Sequence, residues 1–139
     1  MKGYLLDTNV LSEVRKGERA RASVAAWFDG LEEESIFISV LAIGEIRRGI
    51  ELARKTDPAK ANILDGWLNG LVRYYGSRIL AVDERIAERW GRLSLDQKLP
   101  DVDGLLAATA LVHDLMLATR NVADFKRSGV RLFDPFIVR

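Results

Sequence analysis

The sequence predicts an α/β protein, a three-layer α/β/α sandwich around a parallel sheet of roughly five strands. Two observations lead to this fold class. Short apolar runs alternate along the chain with longer segments of helical periodicity, which is the pattern of a parallel sheet with crossover helices. In addition, 139 residues with 48% hydrophobic content suit one globular unit with a buried core. We therefore expect residues 1–139 to form a single domain.

The first half of the chain supplies two strands and three helices. The apolar run Gly3–Leu6 predicts the first strand, and Thr8–Arg15 predicts a short helix that ends near a glycine. The segment Ala22–Leu31 is amphipathic and predicts a second helix. The run Ser35–Ser39 predicts the second strand, and Val40–Arg54 has the periodicity of a third helix.

The second half repeats the alternation. Pro58 opens a helix with apolar positions at Ile63, Leu64, Trp67, Leu68, Leu71 and Tyr75. The third strand is predicted at Ile79–Val82, and Asp83 can cap the helix that carries Ile86, Trp90 and Leu93. A helix over Val102–His113 follows Pro100, and strands are predicted at Leu115–Thr119 and Val130–Phe133. Functional residues should follow the strands or begin helices, because ligands bind at the carboxyl edge of such sheets.

Composition excludes several classes of chemistry. The chain has no cysteine, which excludes disulfides, thiolate zinc sites and cysteine nucleophiles and suits a reducing cytoplasm. The only histidine is His113, so a histidine acid–base pair is not available. No apolar run is long enough to cross a bilayer, and we expect no membrane association. The net charge of +1 indicates no broad basic surface. A nucleic-acid substrate would therefore depend on local cations, and the candidates are Lys98, Arg120, Lys126 and Arg127.

Two acidic residues stand out in the first half. Asp7 directly follows the first strand, and from this residue alone a helix cap and a site in the crevice are equally good interpretations. Glu45 falls within the apolar arc of its helix, between Leu41 and Ala42. A carboxylate directed toward the protein is costly unless something positive meets it, which favours a functional role. The alternative is an ion pair with Arg48 three residues on.

Two further aspartates lie in the second half. Asp103 begins a helix that is apolar on all sides, and helix phase alone does not decide whether Asp101 or Asp103 caps it. Asp124 lies in the turn after the fourth strand, at the same edge as Asp7. Four carboxylates in one crevice would repel one another, but they make sense as oxygen ligands of Mg²⁺ or Mn²⁺, two of which can activate water on a phosphodiester.

Four motifs that carry these acids resemble those of the PIN-domain ribonucleases, and most closely those of the VapC toxins of bacterial type II toxin–antitoxin systems. They are Leu-Leu-Asp7-Thr-Asn, Ile-Gly-Glu45-Ile-Arg-Arg-Gly, Asp103-Gly-Leu-Leu-Ala-Ala-Thr-Ala and Thr-Arg-Asn-Val-Ala-Asp124-Phe. The signal is specific because four separated motifs agree in order over almost the whole chain.

The resemblance implies a PIN-like sandwich and a Mg²⁺- or Mn²⁺-dependent endoribonuclease that a small cognate antitoxin neutralises. It implies that Asp7, Glu45, Asp103 and Asp124 coordinate the metal, that Thr8, Thr119 and Asn121 line the pocket, and that the chain forms a homodimer or a toxin–antitoxin hetero-oligomer. Gly104 stands where many relatives carry alanine. One alternative is a PIN-like module that binds RNA or protein without cutting. Another is a phosphotransfer or receiver domain. Two features disfavour it: Asn9 stands where a phosphotransferase usually has a second aspartate, and Thr119-Arg120 stand where a receiver needs a lysine.

Overall fold

A parallel sheet forms the centre of the protein, in a computed structural model that describes residues 3–93 and 99–139. Within these residues the strands are β1 (Tyr4–Leu6), β2 (Ile36–Ser39), β3 (Ile79–Leu80), β4 (Met116–Ala118) and β5 (Leu132–Phe133). Their order is β3-β2-β1-β4-β5, with every pairing parallel. Leu5 of β1 pairs with Phe37 and Leu117. The predicted parallel α/β class is confirmed.

Helices cover both faces of this sheet. In the described parts of the chain they are α1 (Thr8–Val14), α2 (Ala22–Asp29), α3 (Val40–Arg54), α4 (Pro58–Tyr75), α5 (Glu84–Leu93), α6 (Asp101–Val112) and the short α7 (Val122–Phe125). An apolar cluster lies between the sheet and the helices on each face, because successive residues of a strand point to opposite faces. Leu6 packs into the cluster under α1 to α4, whereas Leu5 packs with Leu106 and Phe125 on the other face.

Hydrogen bonds at the helix ends explain where several helices begin. The Asp57 carboxylate accepts from the Lys60 amide at 3.1 Å, and Pro58 occupies the first helical turn, where its missing N–H costs nothing. The Asp83 carboxylate accepts from the Ile86 amide at 3.1 Å, as the sequence predicts. Arg54 donates to the Asp65 carboxylate at 2.6 Å, which ties α3 to α4.

Three details of the sequence interpretation are wrong. Residues 122–125 form a helix where we predict a turn. The third and fifth strands are two residues long, because the edge strands pair on one side only. Ile63 is 70% exposed although its spacing predicts an apolar, core-facing position, because the buried face of α4 is the one that carries Ala61, Leu68 and Tyr75. No helix in the described ranges is both long and apolar enough to span a membrane.

Candidate active site

Asp7 lies where β1 ends and α1 begins, and it is only 7% exposed. Its Oδ1 accepts from the Thr8 amide at 2.8 Å, so the carboxylate caps α1. Its Oδ2 accepts from the Thr119 hydroxyl at 2.9 Å. Asp7 therefore caps the helix with one oxygen, while its other oxygen faces residues at the end of β4.

A small polar network holds Asp7 from the side of β4. The Thr119 hydroxyl is fully buried and accepts from the Asn121 amide at 3.0 Å. Asn9 Nδ2 lies 3.4 Å from both Asp7 Oδ2 and Thr119 Oγ1, and its Oδ1 accepts from the Arg120 amide at 3.1 Å. Thr119 thus holds the carboxylate directly, whereas Asn121 contributes through its backbone. Asn9 is a site residue that the sequence reasoning missed, although its position two residues after Asp7 was available as a signal.

Glu45 approaches the same edge from α3. Its Oε1 accepts from the Thr8 hydroxyl at 2.8 Å. Thr8 therefore holds both carboxylates, that of Asp7 through its amide and that of Glu45 through its hydroxyl. The prediction that Glu45 lies among apolar neighbours is wrong. Glu45 is exposed, and Ala42, Ile46 and Ile50 form the buried face of α3. The alternative ion pair with Arg48 is not formed in the described part of the chain.

Asp103 lies in the first turn of α6 and is half-buried, whereas Asp101 is exposed. Neither residue caps this helix with its side chain; the N-cap position is Pro100. Burial raises the pKa of Asp103, and the negative charges of Asp7, Glu45 and Asp124 raise it further. Asp124, on the short helix α7, therefore acts on Asp103 together with the other two acids.

The electrostatics of Asp7 follow from its burial. Loss of hydration raises its pKa, the hydrogen bonds from Thr119, Thr8 and Asn9 oppose the rise, and the charge of Glu45 adds to it. Over residues 3–93 and 99–139, no lysine or arginine side chain forms an ion pair with any of the four acids. Asp7 and Glu45 are held by neutral donors, and no cation among the described residues pairs with the negative charge of the group.

This donor set fits a hard divalent cation in its chemistry. Carboxylate oxygens with hydroxyl and amide oxygens nearby are the ligands that Mg²⁺ and Mn²⁺ prefer. Within the described residues, however, no three acidic or histidine side chains converge on one point as a preformed ion cage. The four acids are thus within electrostatic range of one another but not within ligand distance of a common centre.

The predicted phosphate-binding cations are placed unevenly. Arg120 follows Thr119 and lies over the Phe136 ring, 4.5 Å from its centroid. Lys126 and Arg127 are exposed in the turn after α7. Lys98 lies outside the described residues.

Comparison with known proteins identifies relatives over nearly the full length. The family model described as "PIN domain" matches residues 4–129. Toxin FitB of Neisseria gonorrhoeae is 32% identical, with 95% of this chain and 97% of FitB covered. VapC ribonuclease Y4jK of Sinorhizobium fredii is also 32% identical, with 95% and 96% covered. The crystal structure of FitAcB from Neisseria gonorrhoeae superposes with a TM-score of 0.87 at 31% identity, covering 97% of this chain and 99% of that one.

Proposed function

The chain belongs to the PIN-domain family, and from this premise we propose that it is a metal-dependent endoribonuclease toxin neutralised by a cognate antitoxin. Ribonuclease activity is the activity named for the relative Y4jK, and FitB is named a toxin. The observation in this chain that carries the proposal is the group of four acids. They come from four separate segments, and Asp103 experiences the charge of the other three, while no lysine or arginine in the described ranges pairs with it.

Asp7, Glu45, Asp103 and Asp124 would hold the cation. A bound Mg²⁺ or Mn²⁺ supplies Lewis-acid polarisation of the phosphodiester and neutralises charge that develops during hydrolysis. Thr119 and the Thr8 amide orient Asp7, and the Thr8 hydroxyl orients Glu45, so the acids are positioned from both sides of β1. Asp103 and Asp7 must be ionised to bind metal, so protons compete with the metal, and the raised pKa values of both carboxyls extend that competition to higher pH.

The partner and substrate follow from the same premise. The FitAB structure bound to an IR36 DNA fragment superposes on this chain with a TM-score of 0.86 at 30% identity and covers 98% of this chain and 97% of that one. We infer that this chain forms a hetero-oligomer with an antitoxin of its own and that RNA is the substrate of the acidic site.

Cleavage of a fluorescent RNA in the presence of Mn²⁺ tests the proposal. The protein should cut the RNA, chelation should abolish cutting, and Asp7→Asn should lower the rate at least about 100-fold, as expected for a lost metal ligand. Asp114→Asn is the matched control because Asp114 lies beyond the opposite end of α6 and has a positive φ of 55°, which asparagine tolerates. RNA that is bound but never cut, with any divalent metal, would support the non-cutting module instead.

A further inference from the structure

A groove leads away from the acidic site between α1, α3 and α4, and we call it the lateral groove. Its mouth is formed by Thr8 and Glu45, and its volume is about 360 Å³. Gly49 lies on its α3 side, where the missing side chain leaves open space. The groove thus reaches Glu45, one of the four acids, and extends from it along α1.

Two cations line this groove, and neither is committed to an acidic partner. The Arg15 guanidinium lies over the Trp67 ring, 5.5 Å from its centroid, and forms no ion pair among the described residues. The Lys60 side chain is likewise unpaired there, since only its backbone amide is bonded, to Asp57. By contrast, Arg47 and Arg54 of α3 are neutralised, because both pair with Asp65.

The dimensions of the groove suit a short piece of single strand. Seven helical steps separate Thr8 from Arg15, which is about 10 Å at the α-helical rise. A stacked strand advances about 3.4 Å per nucleotide, so the distance from Thr8 to Arg15 corresponds to about three nucleotide steps along the groove. A phosphate that approaches four carboxylates is repelled by them. Positive side chains at that distance attract the neighbouring phosphates of the strand and offset this repulsion.

We propose that the lateral groove binds the RNA strand on one side of the scissile phosphate, with Arg15 and Lys60 as phosphate contacts. This inference rests on the ribonuclease function proposed above. Trp67 acts as a positioning residue, because its ring holds the Arg15 guanidinium along the groove instead of leaving a free side chain in solvent. With a net charge of only +1, affinity for RNA must come from such local cations.

Binding of a short single-stranded RNA of mixed sequence, followed by fluorescence anisotropy as salt is varied, tests this assignment. The Asp7→Asn background keeps the RNA intact. In that background, Arg15→Gln with Lys60→Gln should weaken binding about tenfold or more at 0.1 M salt. The slope of log K against log salt should flatten by about 1.4, because each lost phosphate contact on a single strand contributes about 0.7. Arg15→Lys alone should keep the slope, because the charge remains.

The control is Arg85→Gln with Arg89→Gln, which removes the same charge from α5 beside Leu111 and Val112, at the far end of α6 from Asp103. This variant should keep both the affinity and the slope of the reference. If Arg15→Gln with Lys60→Gln binds RNA like the control but loses affinity for the antitoxin, the groove binds protein and the inference is wrong while the ribonuclease function stands. If the unmutated chain neither binds nor cuts RNA, the proposed function fails and this inference fails with it.

Discussion

The hydroxyl of Thr119 offers a direct test of how the site is held, through the substitution Thr119→Val. The hydroxyl is fully buried, and it donates to Asp7 Oδ2 at 2.9 Å while it accepts from the Asn121 amide. Valine has nearly the same shape but no polar atom, so the Asp7 carboxylate loses its donor from β4. We expect this single change to weaken both the fold and the site.

The magnitude follows from the bonds that are lost. A hydrogen bond to a charged group contributes about 1.5–3 kcal/mol. Asn121 is exposed, so water can replace part of what its amide loses. We therefore expect a loss of about 2–3 kcal/mol in the free energy of unfolding, governed by the carboxylate bond. For a chain of this length, that loss corresponds to a fall of roughly 6–12 °C in Tm.

Thr109→Val is the matched comparison, because Thr109 is equally buried but donates only to the Leu105 carbonyl of its own helix, at 2.7 Å. That bond joins two neutral groups, and its loss should cost about 1 kcal/mol or less. Thr119→Ser keeps the hydroxyl and should recover most of the loss. Urea unfolding of the three variants measures these differences as shifts of the midpoint at constant slope.

The pH dependence separates this explanation from simple packing loss. The Thr119 hydrogen bond lowers the pKa of Asp7, so Thr119→Val raises that pKa further. The penalty is full where Asp7 is ionised in the folded protein, and it shrinks as pH falls through the pKa of Asp7, because a protonated carboxyl needs the donor less. The penalty of Thr109→Val should not vary with pH. Equal penalties for both variants, or a Thr119→Val penalty that is the same at pH 4 and pH 7, would refute the reasoning.

Two further substitutions test other parts of the site. The folded pKa of Asp103 lies above its ordinary value of 3.8, so an ionised Asp103 destabilises the metal-free protein as pH rises through that folded pKa. In chelator, Asp103→Asn should therefore raise the Tm at pH 7, leave it unchanged below about pH 4 and abolish cleavage. A lower Tm at pH 7 would contradict this. A Cβ added at Gly104 would lie 2.9 Å from Trp90 Cδ1, so Gly104→Ala should lower the free energy of unfolding in urea by about 1–3 kcal/mol. Gly66→Ala, with open space in α4, should raise it by up to about 1 kcal/mol. An equal gain in both variants would show that Trp90 moves aside freely.

The order of elements could be predicted from the sequence because it depends on local patterns, whereas the full set of proposed site residues came from the motifs that resemble those of the PIN-domain family. Alternating apolar runs and helical periodicity predicted the five strands, and strand ends predicted where Asp7 and Thr119 lie. The exposure of individual side chains was harder to predict from the sequence. Glu45 shares helix phase with apolar residues, yet it lies at the mouth of a groove, and helix phase carries no information about where a neighbouring helix stops.

Contacts between distant segments were the other missing part. Asn9 joins Asp7 to Thr119 and the Arg120 amide. Its spacing places it near Asp7, but nothing in the spacing indicates that it also meets the residues after β4. The same holds for Trp90 against Gly104, and this contact gives a structural reason for the glycine beside Asp103. Such contacts depend on tertiary packing and become visible only when the helices are placed.

Burial by itself does not distinguish a functional acid from a structural one in this protein. Glu13 is 6% exposed and Asp7 is 7% exposed, so the two carboxylates are equally withdrawn from water. Glu13 accepts from Lys16 Nζ at 2.9 Å and from the Arg21 amide at 2.8 Å, and this cationic partner accounts for its place in the fold. Asp7 has only neutral donors and has Glu45 as a charged neighbour. A buried acid that lies beside other acids and has no cationic partner among the described residues is a group that a bound cation would stabilise, and this is the physical ground on which we propose Asp7 rather than Glu13 as a metal ligand.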